Sequence, residues 1–202
     1  MNTKQVLIDF LIPIPQKKII AICQDIILII CFSSLTAICA KIKVEIGPVP
    51  ITLQTFAVLS SGILLGSKKG ALSQIFYLIS GLAGIPLFAR GGGIQYLLSP
   101  TFGYIIGFIF AAFFVGKLAE KGWDRSFKSS ILAMIFGNIF IYIVGLIWLT
   151  GFFSPEKVLK VGLYPFLLGD IIKIIFASLL FPFAWKIIKK FKGHHSVAKT
   201  LA

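Results

Sequence analysis

Asp170 and Lys173 stand three residues apart in "LLGDIIKIIFASLLF" (167–181), a run that is otherwise apolar. Each costs about 2.5–3.5 kcal/mol at the centre of a membrane helix on insertion scales. On a helix, positions i and i+3 share a face, so carboxylate and ammonium can converge on one cavity. There Asp170 would accept from N–H donors and Lys173 would donate to a carbonyl, both as charge-assisted bonds. The plainer reading is an ion pair that only ties helices together; ionisable groups inside a membrane are functional candidates by default.

The rest of the chain says why a membrane is at issue. Of 202 residues, 57% are hydrophobic and only 13% charged, against roughly 25% charged in a soluble domain. The mean hydropathy is +0.96. This composition predicts one integral membrane domain. A net charge of +13 would point to nucleic acid in a soluble chain. Here the basic residues lie between apolar runs, so the charge reads as topology and contact with anionic lipid, with no nucleic-acid partner.

Six segments can span, near 19–42, 49–66, 70–88, 98–118, 128–152 and 161–186. They predict an all-α integral membrane fold of six transmembrane helices over 19–188. A cytoplasmic segment (1–18) precedes it and a basic cytoplasmic tail (189–202) follows. Lys and Arg set the orientation. Lys17, Lys18, Lys68, Lys69, Lys117, Lys121 and the tail lie on one side, against Lys41, Lys43, Arg90, Lys157 and Lys160 on the other. Both termini are therefore expected inside, in a multi-pass protein of the cell (cytoplasmic) membrane. No cleavable leader is expected, since the first apolar run starts late, near Ile19, and lacks a small-x-small site at the usual distance. Cys23, Cys31 and Cys39 lack metal or CxxC spacing and read as buried free thiols, while His194 and His195 fall in the polar tail. The outer loops are unusual. "KVEIGPVPIT" (43–52) cannot be helical throughout, and "IPLFARGGGIQYLLSP" (85–100) places three glycines between prolines. Such a loop suits closure over a ligand cavity, with a plain turn as the alternative.

The stretch "GPVPITLQTFAVLSSGILLGSKKGALSQIFYLISGLAGIPLFARGGG" (47–93), with "SPTFGYIIGF" (99–108), "GNIFIYIVGLIWL" (137–149) and "LGDIIKI" (168–174), resembles BioY. That family comprises the biotin-binding S components of energy-coupling factor (ECF) transporters. The resemblance covers about 30–185. Arg90 interrupts the glycine run usual after Phe-Ala, and Ser99 stands where glycine usually precedes Pro-Thr. The resemblance implies high-affinity capture of biotin at the outer face. Its partners would be a transmembrane coupling subunit and two cytoplasmic ATPases, and no cofactor is implied.

For biotin, Asp170 would accept from a ureido N–H and Lys173 would donate to the ureido carbonyl. Arg90, in the outer loop, can pair with the carboxylate tail or remain a solvated charge. Gln54, within VPITLQTF, is the amide best placed to meet a polar ring edge. Asn138 is carried as a further substrate-binding candidate, although helix–helix bonding explains it and Gln74 as well. Phe88, Tyr142, Tyr96, Tyr104 and Trp148 can wall the apolar ring or simply pack, and Tyr77 is a weaker candidate. On the first helix, Ser33 and Ala37, and Thr36 and Ala40, repeat at i, i+4. Such small-residue faces admit a second helix, and S components use a comparable face to dock their coupling subunit. Gly62/Gly66 and Gly103/Gly107 offer the same geometry for internal packing.

No phosphate-binding loop is present, since "GILLGSKKG" has the wrong spacing, and HExxH, GxSxG and paired carboxylates are absent. The chain is therefore not expected to be an enzyme, and the energy for transport must come from elsewhere, through partner ATPases or by diffusion. A stand-alone vitamin carrier, an S component for a different vitamin and a structural membrane protein are the competing readings.

Overall fold

The computed structural model describes residues 5–13 and 15–200, with 191–200 by backbone alone. His194, His195 and the other side chains of the tail beyond 190 lie outside it, as do residues 1–4. The order is α1 (Ile8–Leu11), α2 (Lys18–Lys41), β1 (Lys43–Val44), β2 (Ile51–Thr52), α3 (Gln54–Leu82), α4 (Phe102–Glu120), α5 (Phe127–Leu149), α6 (Pro155–Gly162) and α7 (Tyr164–Thr200), with 3-10 turns at Ile94–Leu98 and Trp123–Arg125. Among the described residues, Lys18–Lys41, Phe102–Glu120, Phe127–Leu149 and Pro155–Lys190 are long and apolar enough to cross a membrane.

α3 carries the second and third expected spans, reversed at Gly66, whose φ of 80° and ψ of 178° are not helical. Its arms, 54–65 and 67–82, lie antiparallel. Gln54 Nε2 donates to Tyr77 Oη at 2.8 Å and Gln74 Nε2 to Ser61 Oγ at 3.1 Å, while a Cβ on Gly70 would sit 2.8 Å from Gly62 Cα. The first arm covers only about 18 Å at 1.5 Å per residue. Both arms carry serines, yet Ser60 and Ser61 of the first and Ser67 and Ser73 of the second are all buried. The hairpin is thus the middle of the fold, flanked by α2 and α4, where its polar groups face protein instead of hydrocarbon. The turn is fastened by Glu120, whose Oε1 accepts from Ser67 N–H at 2.7 Å and from its hydroxyl at 2.6 Å. This satisfies one of the orphan donors at the start of the second arm.

α4 and α5 approach through glycine. A Cβ on Gly103 would meet Trp148 at 2.2 Å, and one on Gly107 would meet the Ile141 backbone at 2.9 Å. Two ends result. The loops 42–53, 83–101 and 150–163 gather at one, here the loop end. The Gly66 turn, residues 5–12 and 121–126 meet at the other, the basic end. There Leu7 and Phe10 pack on Trp185. The Trp185 indole donates to buried Asp124, whose carboxyl burial pushes above its usual range.

Three expectations change. The small-residue face of α2 points inward: Ser33, Thr36, Ala37 and Ala40 are all buried, and Thr36 exchanges hydrogen bonds with Gln74 of α3. Small residues report close approach, and the helix that approaches is α3, so this face is not free to dock a partner. Of the cysteines only Cys39 is buried; Cys23 and Cys31 lie on the exposed side of α2. α6, a proline-started amphipathic turn, occupies the connection ahead of the last span, which begins at Tyr164 and runs on beyond residue 186.

Candidate functional site

Asp170 and Lys173, one turn apart on α7, form a bridge of 2.8 Å, with the aspartate side chain buried and the lysine partly so. Neither group is left short of partners. Lys173 Nζ also donates to the Thr52 carbonyl at 3.0 Å and to Thr55 Oγ1 at 2.8 Å, which uses all three ammonium protons. Asp170 Oδ1 also accepts from Thr55 Oγ1 at 3.2 Å, and Oδ2 accepts from the Tyr142 hydroxyl. A pair that would be costly in lipid is therefore embedded in a network from β2, α3, α5 and α7.

This network borders a cavity at the loop end with about 530 Å³ of non-atom space, its open mouth included. Thr52, Gln54, Thr55 and Lys173 supply its polar side. Tyr96, Tyr104, Phe108, Tyr142 and Phe166 wall it, and Val49, Pro50 and Ala89 close it from the loops. Tyr104 is held by a 2.8 Å bond from its hydroxyl to the Gly162 carbonyl. Gln54 spends Oε1 on the Thr52 hydroxyl and one N–H on Tyr77, leaving one amide proton.

The structure thus brings Asp170, Lys173, Gln54 and Tyr142 together. Phe88 lies behind the cavity, outside its lining. It is fully buried against Gly81, 5.3 Å from the Tyr77 ring and 4.5 Å from that of Tyr96, and so supports a wall residue. Asn138 sits one turn toward the basic end from Tyr142, also outside the lining, and its Oδ1 has no partner among the described residues. Trp148 bonds the Ser99 carbonyl at 3.0 Å and packs on Phe102, tying α5 to the loop. Arg90 is at the mouth, engaged with Glu45 and the carbonyls of Gly47 and Pro48. Thr55, the Thr52 carbonyl and Phe166 were not anticipated. Thr55 had one signal: it directly follows Gln54 in VPITLQTF. Among the described residues no group of His, Cys, Asp and Glu can hold a metal ion.

A bundle of apolar helices around a tyrosine-walled cavity with a buried ion pair on its border defines a multi-pass membrane protein built to hold a small polar-headed ligand. Residues 11–190 match the BioY family, and the chain belongs to that family. It is 40% identical over 158 residues to a probable biotin transporter BioY of Pyrococcus horikoshii, covering 78% of this chain and 93% of that one. It is likewise 40% identical to the biotin transporter BioY of Thermotoga maritima, over 74% of this chain and 88% of that one. Its fold resembles the crystal structure of the S-component for biotin from an ECF-type ABC transporter. The TM-score is 0.71 at 27% identity, over 85% of this chain and 95% of that one.

Proposed function

We propose that this protein captures biotin and delivers it across the membrane as the substrate-binding subunit of an ECF-type ABC transporter. It would work with a transmembrane coupling subunit and two ATPases. The observation that carries this reading is Lys173 on the cavity's polar side, with Asp170 bonded to it directly behind the lining. Biotin's ureido ring offers two N–H donors and one carbonyl, and a carboxylate beside an ammonium is the complementary pair. Because every ammonium proton is already bonded, the ring would enter by exchange. Its carbonyl would take the place of Thr55 Oγ1 or the Thr52 carbonyl on Lys173, and its N–H would join Tyr142 on Asp170. Tyr96, Tyr104 and Phe166 would flank the sulfur ring. Purified protein offered a panel of vitamins should retain biotin alone in native mass spectrometry; retention of a different vitamin would overturn the assignment.

The membrane arrangement that goes with this reading has six crossings, the α3 arms counting as two, in the cytoplasmic membrane with the loop end outward. The lysine-rich basic end supports it. In a cysteine-free background, Lys68→Cys and Lys121→Cys should resist an impermeant maleimide added to intact cells, while Ile94→Cys reacts. The reverse pattern would invert the topology.

A further inference from the structure

We propose that Glu45 is a positioning residue which, through Arg90, latches the 43–52 loop onto the 85–100 loop and sets how long a ligand stays. Arg90 Nε and Nη2 both donate to Glu45 Oε2, at 3.0 and 2.5 Å, Nη1 donates to the Pro48 carbonyl at 2.8 Å, and Nη2 also donates to the Gly47 carbonyl at 2.8 Å. One guanidinium therefore joins two loops more than forty positions apart in sequence and keeps a single N–H unspent. Glu45 is held from its other side by Lys43 Nζ at 2.7 Å. Arg90 and Lys43 together hold its carboxyl at about 2, so it carries its charge at neutral pH. The latch is one or two residues from cavity-lining positions on both loops: Val49 and Pro50 follow Gly47 and Pro48, and Ala89 precedes Arg90. Lys41 secures the second loop from behind, donating to the Phe88 carbonyl at 2.7 Å. With its fork filled by Glu45 and two carbonyls, Arg90 is engaged as a fastener and not as the partner of an incoming carboxylate.

The inference rests on biotin being the ligand, and the test separates the two claims. Dissociation of labelled biotin and of a biotin amide would be timed for wild type, Glu45→Gln, Arg90→Ala and the double variant. Amide hydrogen exchange would be followed in the same proteins without ligand. Each single variant should speed dissociation of both ligands by roughly three- to tenfold, the modest range reflecting the solvent exposure of the pair. The double should add little, because both residues act through one contact. Exchange at 44–49 and 87–92 should rise in all three variants. Unchanged dissociation and exchange in Glu45→Gln, or full additivity, would overturn the latch. A loss in Arg90→Ala confined to biotin would instead assign Arg90 to the tail. If wild type retains no biotin, the ligand assignment fails, and the exchange data still decide whether the loops are latched.

Discussion

Asp170→Asn and Lys173→Met should each weaken biotin binding by tenfold to a hundredfold or more, while the variants still insert and purify. Charge-assisted hydrogen bonds are worth about 1.5–3 kcal/mol, and about 1.4 kcal/mol is one decade of affinity. The two variants fail in different ways. Lys173→Met removes the donor shared by the Thr52 carbonyl, Thr55 and Asp170, leaving Asp170 with only the Thr55 and Tyr142 hydroxyls. Asp170→Asn keeps an acceptor for Lys173 but presents an N–H₂ where Tyr142 or Thr55 now donates. The double replacement Asp170→Leu with Lys173→Met removes both charges, so no buried ion is stranded; it should fold and bind nothing. If the pair were only structural, the singles would melt early, and any that survived would bind normally. Isotherms and detergent melting curves on the three proteins decide, and wild-type affinity in a well-folded single variant would sink the assignment.

What could be read ahead of the structure divides by how much a residue violates its surroundings. Asp170 and Lys173 were legible because a charge in an apolar helix is expensive and needs a reason. Thr55 was not, because a threonine in a span is unremarkable until a lysine is seen to donate to it. The Thr52 carbonyl could not be read at all, since a backbone acceptor has no sequence signature. Arg90 was recognisable as a guanidinium at the mouth, but its partner Glu45 lies in the other loop, and pairing across loops follows from tertiary contact alone.

The spans show the same division. α2, α4 and α5 follow from long apolar runs, within a few residues at each end. The apolar run predicts Phe88 at the end of the third span, whereas the helix stops at Leu82 and Phe88 forms an isolated bridge with Gly91. Gly92 shows why that loop needs glycine: a Cβ there would come within 2.2 Å of the Ile85 carbonyl oxygen. The α2 stripe of Ser33, Thr36, Ala37 and Ala40 reads from sequence as a docking face for a partner helix, but spacing marks only close approach and does not say which helix arrives. A buried glutamine on α3, Gln74, answers that question through its bonds to Thr36.

Gly116→Val should be the most damaging substitution outside the cavity, abolishing a cooperative melt or lowering it sharply. A Cβ at Gly116 would lie 2.4 Å from Ser67 N and 2.5 Å from both Gly66 C and Ser67 Cα. These are backbone atoms of the α3 turn, so no side-chain rotation relieves the clash. One turn further along the same two helices the approach is about as tight, with a Cβ on Gly62 falling 2.5 Å from the Ala112 carbonyl oxygen. Replacing a helical glycine gains up to about 1 kcal/mol of propensity when the new residue is alanine, and less for valine. Overpacking a core against movable side chains already costs about 1–3 kcal/mol, and here α4 itself must retreat from the turn. That retreat carries Glu120, one turn along the same face, away from the Ser67 N–H and hydroxyl it accepts from. Biotin binding should disappear with the fold, because the first arm of α3 sets Gln54 and Thr55 at the cavity. Gly151→Ala, whose Cβ would meet nothing closer than 3.4 Å, is the control and should melt with wild type. A Gly116→Val protein that melts alongside that control would show that α3 and α4 do not meet backbone to backbone.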